Sequence, residues 1–308
     1  MNIAVLLCTY NGEKYIKQQL ESIISQEVMP SVISVYDWGS SDQTVQILET
    51  FLSEVIALSE VNVEVKIVLK NSPIGVAAGF KIGILEMTMS SMSFDYIALC
   101  DQDDIWLPNK LSEYSNAIKS NPLVDLIFSD VSTIDSSGVT LISARNHVSP
   151  YFTPNLERFD ESVVFANPVV GMTILISKKL SVIYANTKFE SEIMHDWSLV
   201  LICKFLDLKT IYIDKPLVLY RQHSNNVLGN SSKSSKISLL LSMPKRVRVL
   251  RQQYDDFNSK LLTNRKFDYL FFIKNVSKSK VITPIYKSVI LFFLILDFLL
   301  VKIRGDKC

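Results

Sequence analysis

Asp101-Gln102-Asp103-Asp104 places three carboxylates within four consecutive residues. Like charges this close repel one another unless a cation sits among them. Hard carboxylate oxygens suit Mg²⁺ or Mn²⁺, and Mg²⁺ is commonly held by one or two carboxylates together with substrate phosphates. The bland alternative is a loop whose acids help start the next helix, with Pro108 beside it. Two more polar clusters stand in comparable places, Thr9-Tyr10-Asn11 and the run from Asp37 to Asp42. Each of the three directly follows an apolar run of strand length, and that repetition favours a shared binding edge over solvated loop ends.

The elements needed to position these clusters are legible in the periodicity. Ile3–Tyr10, Val32–Tyr36, Val63–Leu69, Tyr96–Cys100 and Leu123–Phe128 read as strands. Between them the apolar positions recur at helical spacing: Tyr15, Ile16, Leu20, Ile23 and Ile24, then Val45 to about Leu58, then Val76 to about Met87. Ser41 or Asp42 is placed to cap the second of these helices. Strands alternating with helices of this length imply crossover units and a mostly parallel sheet, whose ligands bind at the carboxyl ends of the strands. Beyond Asp135 the rhythm changes. Ser136-Ser137-Gly138 reads as a turn, Asn146–Pro168 as a long segment without clear period, and Val169–Ser177 and Thr210–Tyr220 as strands around a helix at Trp197–Phe205.

Hydrophobic residues make up 48% of the 308 and charged ones 20%, enough for a large core and against global disorder. The net charge of +1 conceals a split. Ser232 to Cys308 holds 16 Lys and Arg against 5 Asp and Glu, or +11; Met1 to Ser231 holds the remaining 16 and 26, or −10. An acidic domain joined to a basic tail follows, the tail seeking a negatively charged surface. The expected boundaries are a catalytic unit at 1–229, a linker at 230–236 and a helical segment at 237–308. Val289–Val301 is apolar but for Asp297, short for a spanning helix; it suits a membrane interface or a helix packed on the catalytic unit. Cys8, Cys100, Cys203 and Cys308 show no metal-ligand spacing. With no leader pattern at the N-terminus, a cytoplasmic location is expected, peripheral on the inner face of the cell membrane.

Taken in order, Thr9-Tyr10-Asn11-Gly12, Asp37-Trp38-Gly39-Ser40-Ser41-Asp42-Gln43-Thr44, Asn71 with Gly75 and Gly79-Phe80, Cys100 to Pro108, His195-Asp196-Trp197 and Tyr220-Arg221-Gln222-His223 are specific as a set. Over residues 1–229 the chain resembles family 2 glycosyltransferases of the GT-A fold, and in particular bacterial rhamnosyltransferase-like members. The resemblance implies an α/β nucleotide-sugar fold with a C-terminal helical extension. It implies transfer of one sugar, rhamnose by the nearest likeness, from a nucleotide-sugar donor to a glycan or lipid-linked acceptor in surface polysaccharide synthesis. By the same likeness Thr9, Tyr10, Asn11 and Asp37 contact the donor, Asp101 faces its ribose or sugar, and Asp103 binds the metal, Mg²⁺ or Mn²⁺. Asp196 is the general base, which with direct displacement implies inversion.

His223 is expected as a metal ligand, with a phosphate contact as the alternative, and His195 as either a site residue or a loop-ordering one. The family usually carries two adjacent acids after the second strand; here Trp38 takes the second place. Nucleic acid is not among the expected partners. A pyrophosphorylase or a dinucleotide dehydrogenase would need a glycine-rich loop after the first strand, and Cys8-Thr9-Tyr10-Asn11-Gly12 is not one. A non-catalytic glycan- or partner-binding scaffold of the same fold would have shed part of the acid set, whereas Asp101, Asp103 and Asp196 are all present.

Overall fold

The structure, a computed structural model, describes residues 1–57, 63–142, 159–223, 236–261, 263, 267–279 and 284–304. Strands β1 (Ile3–Thr9), β2 (Val32–Asp37) and β4 (Tyr96–Cys100) are buried almost throughout, as parallel strands covered on both faces must be. β3 (Glu64–Leu69) is more exposed because it is the outer strand. The four run parallel in the order β3-β2-β1-β4, so Thr9, Asp37 and Cys100 end at one edge. Connections are made by α1 (Ile16–Ile24), α2 (Thr44–Ala57) and α3 (Val76–Met89). α3 lies close against the sheet where its inner face carries Gly83 between Phe80 and Met87: a Cβ on Gly83 would stand 2.9 Å from Leu6.

The sheet then changes direction. β8 (Leu175–Ser177) pairs antiparallel with β4 and with β6 (Leu126–Ile134), and β6 runs parallel to β9 (Thr210–Arg221). A two-residue strand, β5 (Ile105–Trp106), pairs antiparallel with the far end of β9. That pairing fastens the acidic loop to the distant Tyr220–His223 motif. α4 (Lys110–Ser120) follows it, β7 (Thr140–Ile142) closes a hairpin on β6 through Gly138, whose φ is +93°, and α5 (Lys178–Asn186) and α6 (His195–Phe205) cover one face.

Several expected boundaries are corrected. The fifth strand begins at Leu126 and not Leu123, because Val124 N–H turns back to the Asn121 carbonyl and leaves Leu123 82% exposed. Val169–Ser177 is not one strand. Gly171–Thr173 is a 3₁₀ turn, closed by Thr173 N–H on the Val170 carbonyl, and only Leu175–Ser177 joins the sheet. A short apolar run carries no period that separates a turn from a strand.

The expected linker at 230–236 lies outside the described residues except for Lys236, which begins α7 (Lys236–Lys260). Much of the aperiodic segment at 146–168 also lies outside them, as does His147. The apolar stretch Val289–Val301 forms most of α9 (Pro284–Arg304), after α8 (Tyr269–Lys278). Val247, Leu250, Phe257, Phe272, Val276, Ile290, Phe293 and Leu294 from these three helices share one hydrophobic core with Leu6, Phe80 and Trp197. No described helix is long and apolar enough to cross a membrane.

Candidate active site

A cavity of about 680 Å³ opens at the carboxyl edge of the parallel strands. Thr9, Tyr10, Asn11, Asp101, Asp103, Asp196 and His223 all reach its wall, so four segments far apart in sequence meet there. Asp37 does not. Its buried carboxylate accepts N–H bonds from Gly39 (3.1 Å) and Ser40 (3.0 Å) and the Ser40 hydroxyl (2.5 Å), which shapes the loop after β2. Its neighbour Trp38 takes the place at the wall, 7% exposed, with Gly79 leaving room for the indole.

Asn11 binds both ways. Its φ of 49° is the left-handed region that Asn tolerates. Its side-chain oxygen accepts Ser41 N–H at 2.9 Å and its own N–H donates to the Ser40 hydroxyl, so β1 and β2 loops are held as one unit. Asp42 accepts the Thr44 N–H at 3.0 Å, as expected of a residue starting α2.

Gln102, given no role by its sequence, joins that unit to the acidic loop. Its side-chain oxygen accepts the Thr9 hydroxyl at 2.7 Å and Tyr10 N–H at 2.8 Å. On the other side Arg221 does comparable work from inside the protein. Its N–H donates to the Asp104 carboxylate (3.0 Å), its Nε to the Asp103 carbonyl (2.9 Å) and Nη2 to Gln18 (2.8 Å). Asp104 therefore clips the loop to β9; it does not cap α4, which begins six residues later after Asn109. Lys110 is also unforeseen. Fully buried, it donates to the Met172 carbonyl at 2.6 Å and stands 3.7 Å over the Trp106 ring. Burial lowers its pKa to about 7, against the pull of Cys100, Asp104 and Asp101. Lysine at the start of a helix ordinarily faces water, so no sequence signal marked it.

The acids are held in a costly state. Burial, then the charges of Asp103 and Asp196, raises the Asp101 pKa to about 7. Burial raises Asp104 well above the carboxylate range, with Asp103 and Asp101 adding to it, and among the described residues Asp104 Oδ2 has no hydrogen-bond partner. Burial also raises Asp196 to about 7, opposed by hydrogen bonds of which the Trp197 N–H at 2.7 Å is the nearest. An acid poised near neutrality is suited to take a proton. His195, beside it, is stacked on Phe80 at 4.3 Å, and burial lowers its pKa to about 3. It remains a neutral ring, and it lines the same cavity as Asp196.

His223 Nε2 lies 2.8 Å from Asp103 Oδ2. That spacing is close to the separation of adjacent ligands on an octahedral ion with bonds of about 2.1 Å. A cation among the crowded carboxylates would also relieve their repulsion, so Asp103 and His223 fit a divalent metal. Among the described residues no group of three His, Cys, Asp or Glu side chains is arranged for one. Asp103 and His223 would hold it, with phosphate oxygens and water completing its shell.

The glycosyl transferase family 2 model matches residues 4–171, more than half of the chain. The dTDP-rhamnosyl transferase RfbG of Shigella flexneri is 30% identical over 228 residues, 72% of this chain and 73% of that one. An uncharacterized glycosyltransferase of Haemophilus influenzae is 25% identical over 56% of this chain and 51% of its own. Among solved structures, Staphylococcus aureus TarS 1-349 with UDP-GlcNAc superposes with a TM-score of 0.55 at 16% identity, covering 90% of this chain and 79% of that one. The mannosyltransferase PcManGT of Pyrobaculum calidifontis, with GDP-Man and Mn²⁺, gives 0.56 at 14% identity, over 99% and 76%. These are GT-A glycosyltransferases, and their likeness establishes the α/β fold with its mostly parallel sheet. The chain belongs to glycosyl transferase family 2 and is a glycosyltransferase.

Proposed function

We propose that this enzyme moves a single sugar from a nucleotide-sugar donor to a glycan or lipid-linked acceptor, with inversion and with a divalent metal. The observation that carries this reading is the meeting of Asp101, Asp103, His223 and Asp196 on one cavity. Thr9, Tyr10 and Asn11 would contact the donor at the β1 end, and Asp101 its ribose or sugar. Asp37 would act on the donor through the loop it shapes. Asp103 and His223 would hold a divalent cation, which would supply neutralisation of the charge that grows on the diphosphate leaving group. Asp196 takes the proton of the acceptor hydroxyl as that oxygen bonds the anomeric carbon and the carbon–phosphate oxygen bond breaks. One base and one displacement give inversion without a covalent intermediate.

Rhamnose as the transferred sugar is supported by the likeness to the Shigella flexneri enzyme, and a membrane-held acceptor by the basic C-terminal helices. The test is a donor screen with UDP-, GDP- and dTDP-sugars and Mn²⁺, followed by anomeric assignment of the product by NMR. Turnover with a dTDP-sugar and an inverted linkage is expected. Full turnover by both Asp103→Ala and Asp196→Ala would overturn the mechanism.

A further inference from the structure

α9 buries Ile290, Phe293 and Leu294 against the rest of the protein. Its other side presents Phe292, Ile295, Leu296 and Leu299, spaced i, i+3, i+4, i+7 along one helical stripe. Phe292 is 59% exposed and Leu299 49%. The single acid in this apolar stretch is turned away from the stripe, because Asp297 accepts the Tyr269 hydroxyl of α8 at 2.7 Å. On α8, which packs against α9, Leu270 and Phe271 are also exposed, and three to eight residues on stand exposed Lys274 and Lys278. Six large outward apolar side chains on two neighbouring helices are more than scattered surface hydrophobics.

Charge selects the partner. The segment carrying these helices is +11 and the remainder of the chain −10, so the favoured surface is apolar within and anionic at its border. No described helix can cross a bilayer, which leaves lying on one. We propose that the outward face of α8 and α9 is a docking surface for an anionic lipid bilayer. Phe292, Ile295, Leu296 and Leu299 enter the headgroup–acyl boundary while Lys274 and Lys278 meet lipid phosphates. The proposal names the surface behind the membrane-held acceptor of the proposed function, and rests on that reading for its purpose.

The test is flotation of the full chain with vesicles of phosphatidylcholine alone or mixed with phosphatidylglycerol. Binding to the anionic vesicles, weakening as salt rises, is expected. Leu299→Trp reports insertion by a blue shift of emission, since native Trp38, Trp106 and Trp197 are buried. Phe292→Glu with Leu299→Glu weakens binding at least about tenfold. Lys274→Gln with Lys278→Gln weakens binding to anionic vesicles roughly twenty-fivefold, at about fivefold per lysine. Unchanged Tm and donor turnover in both double variants show that they fold.

No flotation with either vesicle, or binding undiminished in both double variants, overturns the proposal. So does sedimentation velocity showing a dimer that the apolar variant alone dissociates while vesicle binding persists; the stripe would then face a second copy. The two readings fail separately. A chain that floats but turns over no nucleotide-sugar keeps the docking surface and loses the proposed reaction, and the reverse outcome does the opposite.

Discussion

The loops after β2 and β4 flank the same central strand and are built from similar residues, yet their acids are in opposite states. In the first, Asp37 accepts three hydrogen bonds. Burial pushes Asp42 up, but bonds from Thr44 and Glu13 outweigh it and leave its pKa below the ordinary 3.8. In the second, burial drives Asp101 to about 7 and Asp104 well above 3.8. An acid whose oxygens are filled by its own loop builds structure. Asp104 clips the loop to β9, while Asp101, pressed against Asp103 and Asp196 at the cavity wall, is the acid on which the proposed cation and substrate site draws. Asp-rich loops are alike in sequence, and the hydrogen bonds tell them apart.

The sharpest break of this comparison is at the base. Asp196→Ala should lower kcat by about 10²–10⁴-fold with little change in donor KM, measured by release of nucleotide diphosphate. Next, Asp103→Ala should lower kcat about 10²–10³-fold and abolish Mn²⁺ binding in calorimetry with donor present, with His223→Ala milder in both. Across pH, kcat/KM should fall below pH about 7, because Asp196 must be ionised to take a proton and burial raises its pKa to about 7. A profile flat down to pH 5 would remove Asp196 as the base.

Asp37→Ala tests the quieter loop. Two half-buried N–H groups lose their acceptor at about 1 kcal/mol each, so Tm should fall by several degrees. If Tm holds and donor affinity collapses instead, Asp37 is a direct donor contact. The smallest effect is expected from Asp104→Asn, which keeps an oxygen for Arg221 N–H and removes an acid. The raised folded pKa means that Asp104 favours the folded state fully below 3.8 and progressively less as pH rises toward its folded value. The variant should therefore match the native Tm in acid and exceed it by a few degrees at neutral pH.

Much of the site was legible because its residues sit where strand patterns stop. Asp101 and Asp103 follow Tyr96–Cys100 directly, and Thr9 closes β1. His223 and Asp196 were reached through resemblance of their motifs, and the fold brought both to the cavity that spacing alone could not have assembled. Gln102, Arg221 and Lys110 were not legible in role. Each works through contacts to residues 62 to 203 positions away, and nothing in its own neighbourhood marks that. Gly171–Thr173 was misread as strand because a short buried apolar run looks the same in either conformation. The tail divided in two: its apolar run Val289–Val301 suited a helix, and packing decided which stripe is buried and which faces out.

By itself the sequence determined the alternation of strands and helices, the acidic edge and the charge split between Met1–Ser231 and Ser232–Cys308. These follow from local periodicity and composition, which chain connectivity cannot hide. Tertiary structure alone decided which acids are filled and which are left hungry. A carboxylate's charge state depends on the desolvation and the donors that folding places around it, and those come from distant parts of the chain.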